Sequence, residues 1–217
     1  TYYVRAYATN AVGTVYGDPV SFTTETPATA PTVTTQEVTG ITTTTATGNG
    51  NVTSDGGSAI TERGIVWAAT ANPTTAGNKV TAAGTTGAFT GDITGLTPGT
   101  QYHVRAYATN AIGTSYGSDV TFTAYKLPTV TTQAVSSIGT TTATGNGNIM
   151  DLGVPNPTEY GVAWNTTGNP TIADSHTAQG AVSNIGTFTS SMTGLTDSTT
   201  YYVRAYATNA VGTVYGD

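Results

Sequence analysis

The chain contains no cysteine. Disulfides and thiolate metal sites are excluded, so its fold rests on packing and strand pairing alone. Charge is scarce too: Asp, Glu, Lys and Arg make up 8% of the 217 residues, against about 25% in an ordinary globular domain. Low charge does not signal a membrane span here, because no apolar run approaches the roughly 20 residues that a spanning helix needs. Basic residues are the rarer sign, with six Lys and Arg against twelve Asp and Glu and a net charge of −6. That balance argues against nucleic acid and against an anionic membrane surface, since both require a basic patch. His103 and His176 are the only histidines, and neither a Gly-x-Ser-x-Gly elbow nor a phosphate loop is present. These absences read as a protein that is not an enzyme.

What is abundant is Thr, the commonest residue, and the polarity of the chain comes from Thr with the Gly, Ser and Asn of turns. Thr favours half-buried pleated surfaces, and the 27 glycines supply turns. At roughly 100–200 residues per domain, the length allows one or two domains.

Internal repetition organises the chain. The segment TYYVRAYATNAVGTVYGD at residues 1–18 recurs without change at residues 200–217, an offset of 199. A diverged copy, QYHVRAYATNAIGTSYGSD, starts at Gln101. The period therefore holds two related halves. Pro31, Thr44 and Trp67 recur at Pro128, Thr141 and Trp164, an offset of 97, whereas Gly95-Leu96-Thr97 recurs at Gly194-Leu195-Thr196, an offset of 99. The second half thus carries a two-residue insertion between its Trp and its Gly-Leu-Thr, of the kind that sits in surface loops.

Each half reads as short strands separated by turn signals. In the first half these fall near 32–38, 42–52, 60–69, 87–94, 101–110 and 119–124, with a weak edge strand at 76–82. Asn49-Gly50 and its repeat Asn146-Gly147 read as turn or bulge residues. Tyr102, Val104, Ala106 and Ala108 alternate with His103, Arg105, Tyr107 and Thr109. This period of two turns the first set to the core and the second set outward.

Gly95-Leu-Thr-Pro-Gly-Thr-Gln-Tyr102-His-Val-Arg-Ala-Tyr-Ala-Thr-Asn110-Ala-Ile-Gly113 resembles the E–F corner and F strand of a fibronectin type III module. The later Val120-Thr-Phe122-Thr resembles strand G. The resemblance implies tandem immunoglobulin-like, fibronectin type III-like β-sandwiches, with Tyr102 and Tyr201 as the structural tyrosine corners whose hydroxyls bond to upstream backbone. Gly64-Ile-Val-Trp67 and Asn72-Pro-Thr-Thr narrow the resemblance to bacterial extracellular tandem-repeat proteins. Trp67 departs from the usual fibronectin pattern by standing on the third strand rather than the second.

The resemblance divides the chain into residues 1–26, the last two strands of a preceding module; 31–125, a complete module; and 128–217, a second module without its last strand. Two continuations are open. The chain is one period of a longer covalent array, or the N-terminal segment of the next chain completes the last module by strand addition. In both cases the partners are further copies of itself. The Pro-containing linkers at 26–31 and Lys126-Leu-Pro128 favour a semi-rigid connection.

The outward set of the Tyr-rich strand forms a stripe: Tyr3, Arg5 and Tyr7; His103, Arg105 and Tyr107; Tyr202, Arg204 and Tyr206. The stripe is either cross-strand packing, with Arg lying over an aromatic ring, or a contact surface for a neighbouring module, chain, glycan or cell-surface ligand. Structural calcium, which wants six to eight oxygens, would have to come from scattered turn carboxylates such as Asp55, Asp92, Asp119, Asp151, Asp174 and Asp197. The cofactor expectation is therefore none, with calcium as the alternative. Lys79 and Lys126 are the only lysines and do not suit an intramolecular Lys–Asn crosslink in each module. Asn51-Val-Thr and Asn165-Thr-Thr fit the short N-glycan acceptor pattern.

The sequence thus reads as a structural repeat of an extracellular or cell-surface filament, stalk or adhesin. The competing reading is a spacer or carbohydrate-binding module of a secreted polysaccharide-degrading enzyme. Near-identity at a 199-residue period favours the filament.

Overall fold

Thr-rich stretches that alternate polar and apolar side chains form strands, and the Gly, Asn and Pro clusters between them form the turns. The computed structural model describes residues 1–217, and none of them is helical. The first four strands are short: β1 (Tyr2–Val4), β2 (Tyr7–Thr9), β3 (Thr14–Tyr16) and β4 (Val20–Phe22). β1 pairs with β4 and β2 with β3. All of residues 1–27 are exposed.

The next eight are β5 (Thr32–Thr39), β6 (Ala46–Ser54), β7 (Glu62–Ala68), β8 (Asn78–Thr81), β9 (Gly87–Ile93), β10 (Gln101–Thr109), β11 (Thr114–Tyr116) and β12 (Val120–Thr123). They build two antiparallel sheets. One has the order β5-β6-β9, and the other runs β8-β7-β10, with β11 and β12 both on the far edge of β10. Val33, Val52, Phe89 and Ile93 from one sheet meet Ile65, Trp67, Val104, Ala106 and Phe122 from the other in a single core of 16 buried residues. This is an immunoglobulin-like, fibronectin type III-like β-sandwich.

A second sandwich repeats the plan with β13 (Thr129–Ser136), β14 (Thr142–Asp151), β15 (Glu159–Asn165), β16 (Ser175–His176), β17 (Gly186–Thr193), β18 (Tyr202–Thr208) and β19 (Thr213–Tyr215). Its sheets run β13-β14-β17 and β16-β15-β18-β19. The two-residue insertion falls in the mostly exposed stretch 177–185 between β16 and β17.

Local chemistry moves some strand boundaries from those read in the sequence. Thr42 Oγ1 accepts from Thr45 N–H at 2.9 Å, while Thr42 N–H donates to Thr45 O at 2.8 Å. This hydroxyl turn delays the strand expected from residue 42 until Ala46. β11, three residues between Gly113 and Gly117, is too short to show a period. Asn49 lies inside β6, and its Nδ2 donates to Glu37 O at 2.7 Å and Thr39 Oγ1 at 3.1 Å. It thereby closes the β-bulge where β5 shifts register between Gln36 and Thr39. Asn146 does the same for Ala134 and Ser136.

The glycines that alternate with Asn49 let the sheets approach closely. A Cβ on Gly50 would stand 2.6 Å from the Ala106 Cβ and from the Phe89 ring. Gly50→Val should therefore destabilise the first sandwich by about 1–3 kcal/mol, measured as a lower denaturant midpoint. Gly113→Ala, where nothing lies within 4 Å of the added Cβ, serves as the neutral control.

Candidate functional site

The candidate residues lie on or beside β1 and β2, β10 and β18. Thr97 N–H donates to Tyr102 Oη at 3.1 Å, and Thr196 N–H donates to Tyr201 Oη at 3.0 Å. These bonds pin the start of β10 and of β18. The one from Thr196 N–H also draws the Tyr201 phenol below its ordinary pKa.

The stripe does not form one exposed face. Tyr107 and Tyr206 were expected outside, but both have 0% exposure. Tyr107 lies over Gly64, its partner on β7, where an added Cβ would come within 3.0 Å of its ring. The Tyr116 ring from β11 packs at 6.3 Å on its other side. The Tyr107 hydroxyl donates to Glu62 Oε1. Tyr206 lies opposite Gly161 on β15, packs beside Tyr215, and donates to Glu159 Oε1 at 2.8 Å and Thr177 O at 2.6 Å. Burial first, and then the carboxylate, pushes both phenols well above the usual tyrosine range. In return the Tyr107 hydroxyl, followed by Lys79, holds Glu62 below the usual carboxylate range.

The arginines lie over aromatic rings. Arg105 sits 4.7 Å above Tyr116, Arg204 4.9 Å above Tyr215 and Arg5 5.1 Å above Tyr16. Each Nε also donates to a carbonyl, Gly117 O, Gly216 O and Gly17 O respectively. His103 Nδ1 meets Asp119 at 3.0 Å, and Asp119 also accepts from Asn72 N–H at 2.7 Å. Tyr3, Tyr7 and Tyr202 remain exposed. His176 stands at the surface with its ring edge towards Tyr206.

Sequence reading missed a cradle at Arg63. This side chain is 7% exposed, bonds to the carbonyls of Ala83, Thr85, Thr86 and Gly87, and stacks 4.8 Å above Phe89. Tyr160 takes the equivalent place in the second sandwich, with its ring edge-on to Phe188 at 4.9 Å.

Two structural features remain as candidates for interaction. The first is the edge of β18. In the first sandwich β12 covers the same edge of β10, pairing Tyr102 with Phe122, His103 with Thr121 and Val104 with Val120. A groove of about 570 Å³ beside Tyr201 is lined also by Val135, Ile138, Met192, Leu195 and Val203. The buried core of the second sandwich falls into two clusters of 4 residues each.

The second feature is the junction between the sandwiches. Ala124 N–H donates to Thr100 O and Tyr125 N–H to Thr42 O, both in the first sandwich. The next residue, Lys126, exchanges 2.8 Å backbone bonds with Val154 in the second. Asn209 Nδ2 donates to Lys126 O at 2.8 Å and to Pro155 O at 2.9 Å. Lys126 Nζ also pairs with Asp151, holding that carboxyl below its usual range by hydrogen bonding. Asn110 secures the preceding linker in the same way, through Thr29 O at 2.7 Å and Asp55 O at 2.8 Å.

No group of three or more His, Cys, Asp or Glu side chains is gathered to hold a metal ion, and no helix is long and apolar enough to cross a membrane. Asp92 lies within β9 and Asp151 is the last residue of β14, rather than in turns.

No family model matches the chain, and no curated protein matches it. Among solved structures, the crystal structure of chicken CNTN1 FN1-FN3 domains is similar over 99% of this chain and 72% of that one, at 16% identity and a TM-score of 0.37. A sandwich fold hosts many unrelated functions, so function has to be read from the surfaces it carries.

The buried phenols set an alkaline limit. A free tyrosine ionises near 10.0, and folding holds Tyr107 and Tyr206 protonated above that pH. Their contribution is therefore intact below about pH 10 and is lost as the pH rises beyond it. Denaturant midpoints should decline above about pH 10. Tyr107→Phe with Tyr206→Phe should flatten that decline, at a cost of about 1 kcal/mol each at neutral pH.

Proposed function

We propose that this chain is a structural repeat unit of an extracellular bacterial filament, stalk or surface adhesin, in which sandwiches are joined in series. The supporting observation is the Tyr125–Lys126 junction, where neighbouring residues are hydrogen-bonded into successive sandwiches with no free residue between them. A spacer that only tethers two bodies has no need of such a junction, whereas a load-bearing series does. The identity of residues 1–18 with residues 200–217 supports the same reading, since it lets one unit continue into the next in the same register. No side-chain polar atom is left buried without a partner. The surface character rests on the resemblance of Gly64–Trp67 and Asn72–Thr75 to bacterial surface-protein modules.

Electron microscopy of the native material should show filaments with a fixed axial repeat. Isolated monomers would instead move the assignment to a spacer or carbohydrate-binding module. The intact mass of the same material separates two ways of building the filament: a value far above 21.9 kDa marks a covalent array, and a match to it marks assembly from short subunits.

A further inference from the structure

The first sandwich shows how this fold holds an organic cation. The Arg63 guanidinium lies 4.8 Å above the Phe89 ring, and the carbonyls of Ala83, Thr85, Thr86 and Gly87 receive its N–H groups. No carboxylate pairs with it. A ring face and a cup of carbonyls alone hold a charged side chain that is 7% exposed. Such a contact gains strength as water is excluded.

The second sandwich keeps the floor of this cup and lacks its cation. Phe188 stands opposite Gly147 as Phe89 stands opposite Gly50. Tyr160 holds the Arg63 position, opposite Ala207 as Arg63 is opposite Ala108. No Lys or Arg lies between Lys126 and Arg204. Lys126 is engaged with Asp151, and Arg204 with Tyr215 and Gly216 O. The Tyr160 and Phe188 rings meet at 83° with centroids 4.9 Å apart, so they form two walls of a corner. Beside that corner is a pocket of about 170 Å³, lined also by Ile149, Val182, Asn184 and Ile185. The carbonyls of Ser183, Asn184 and Ile185 accept no backbone N–H. The pocket is smaller than the roughly 300–1,000 Å³ of a drug-sized site, and its size fits one side-chain group. Two ring walls, unused carbonyls and a net charge of −6 favour a positive one.

We infer that the corner between Tyr160 and Phe188 is a binding site for a guanidinium group, carried by a free solute or by an arginine of a partner protein. The second sandwich takes from outside what Arg63 supplies within the first. The site does not depend on how the sandwiches are joined, so it stands or falls apart from the series reading.

The test is a nuclear magnetic resonance titration of the whole 217-residue chain with N-acetylarginine amide. The amides of Thr187 and Phe188 should shift and saturate with a Kd of about 1–10 mM, while those of Ala88 and Phe89 stay still because Arg63 already fills their cup. N-acetylcitrulline amide has the same shape without the charge and should bind about 10-fold more weakly. Tyr160→Arg should place the cation from within and abolish the response. Guanidinium ion and the peptide Gly-Arg-Gly separate the sources: equal affinity marks a free solute, and a preference of about 10-fold for the peptide marks a protein-borne arginine. The site is overturned by the absence of saturable shifts up to about 50 mM, by equal binding of the citrulline compound, or by an undiminished response in a folded Tyr160→Arg chain. The citrulline comparison decides the matter on the unaltered chain if that variant does not fold.

Discussion

The first sandwich depends on how one strand edge is shared. The outer edge of β10 is divided between β11, which pairs with Tyr107–Thr109, and β12, which pairs with Gln101–Val104. Ala106 falls in the gap between them. Its carbonyl accepts from Gly117 N–H at 2.9 Å, and its N–H donates across the sandwich to Thr35 Oγ1 at 3.0 Å. A side chain on Gly117 would press to 2.4 Å of the Thr35 backbone, so only glycine fits where the two returning strands part. Thr132, Ala205 and Gly216 repeat the arrangement. A buried N–H left without this hydroxyl would cost about 1–3 kcal/mol. The edge therefore fixes how the sheets meet and how the turn at Asn110 or Asn209 is aimed.

Much of this was readable from the residues. The alternation of Tyr102, Val104, Ala106 and Ala108 marks the core face of β10, and the structure buries all four. Tyr107 escaped the same rule because period two separates two faces but does not say which of them meets water. Here Tyr107 lies over Gly64 of β7 and is packed against the Tyr116 ring of β11 beside it. A usable signal was present in the pairing: a glycine, Gly64 or Gly161, stands opposite each of these tyrosines. Arg63 was not readable, because the carbonyls that receive it belong to a loop about 20 residues on that meets it only in the folded chain. Asn49 stood out by repetition, but its work, closing a bulge on the neighbouring strand, depends on a register that no local pattern reveals.

The two sandwiches are alike in plan and differ where they carry surface. Arg63 gathers the 83–87 loop in one, while Tyr160 and a longer 177–185 stretch replace it in the other. A series built on the 199-residue period therefore alternates two lateral faces on one repeated core. The joints vary less. Asn110 and Asn209 each use one side-chain oxygen to close their own turn and one side-chain nitrogen to grip the linker entering the sandwich.

The joint at Tyr125–Lys126 also bears on how such a chain meets degrading enzymes. A protease cuts where several consecutive residues are free to lie extended in its cleft, which is why exposed tips and linkers are nicked first. Here Ala124, Tyr125 and Lys126 all have their amide hydrogens engaged, and Pro128 is buried. The stretch that would be the weakest point of most two-domain chains thus offers a cleft little free backbone, with Leu127 the one exposed residue between Ala124 and Pro128.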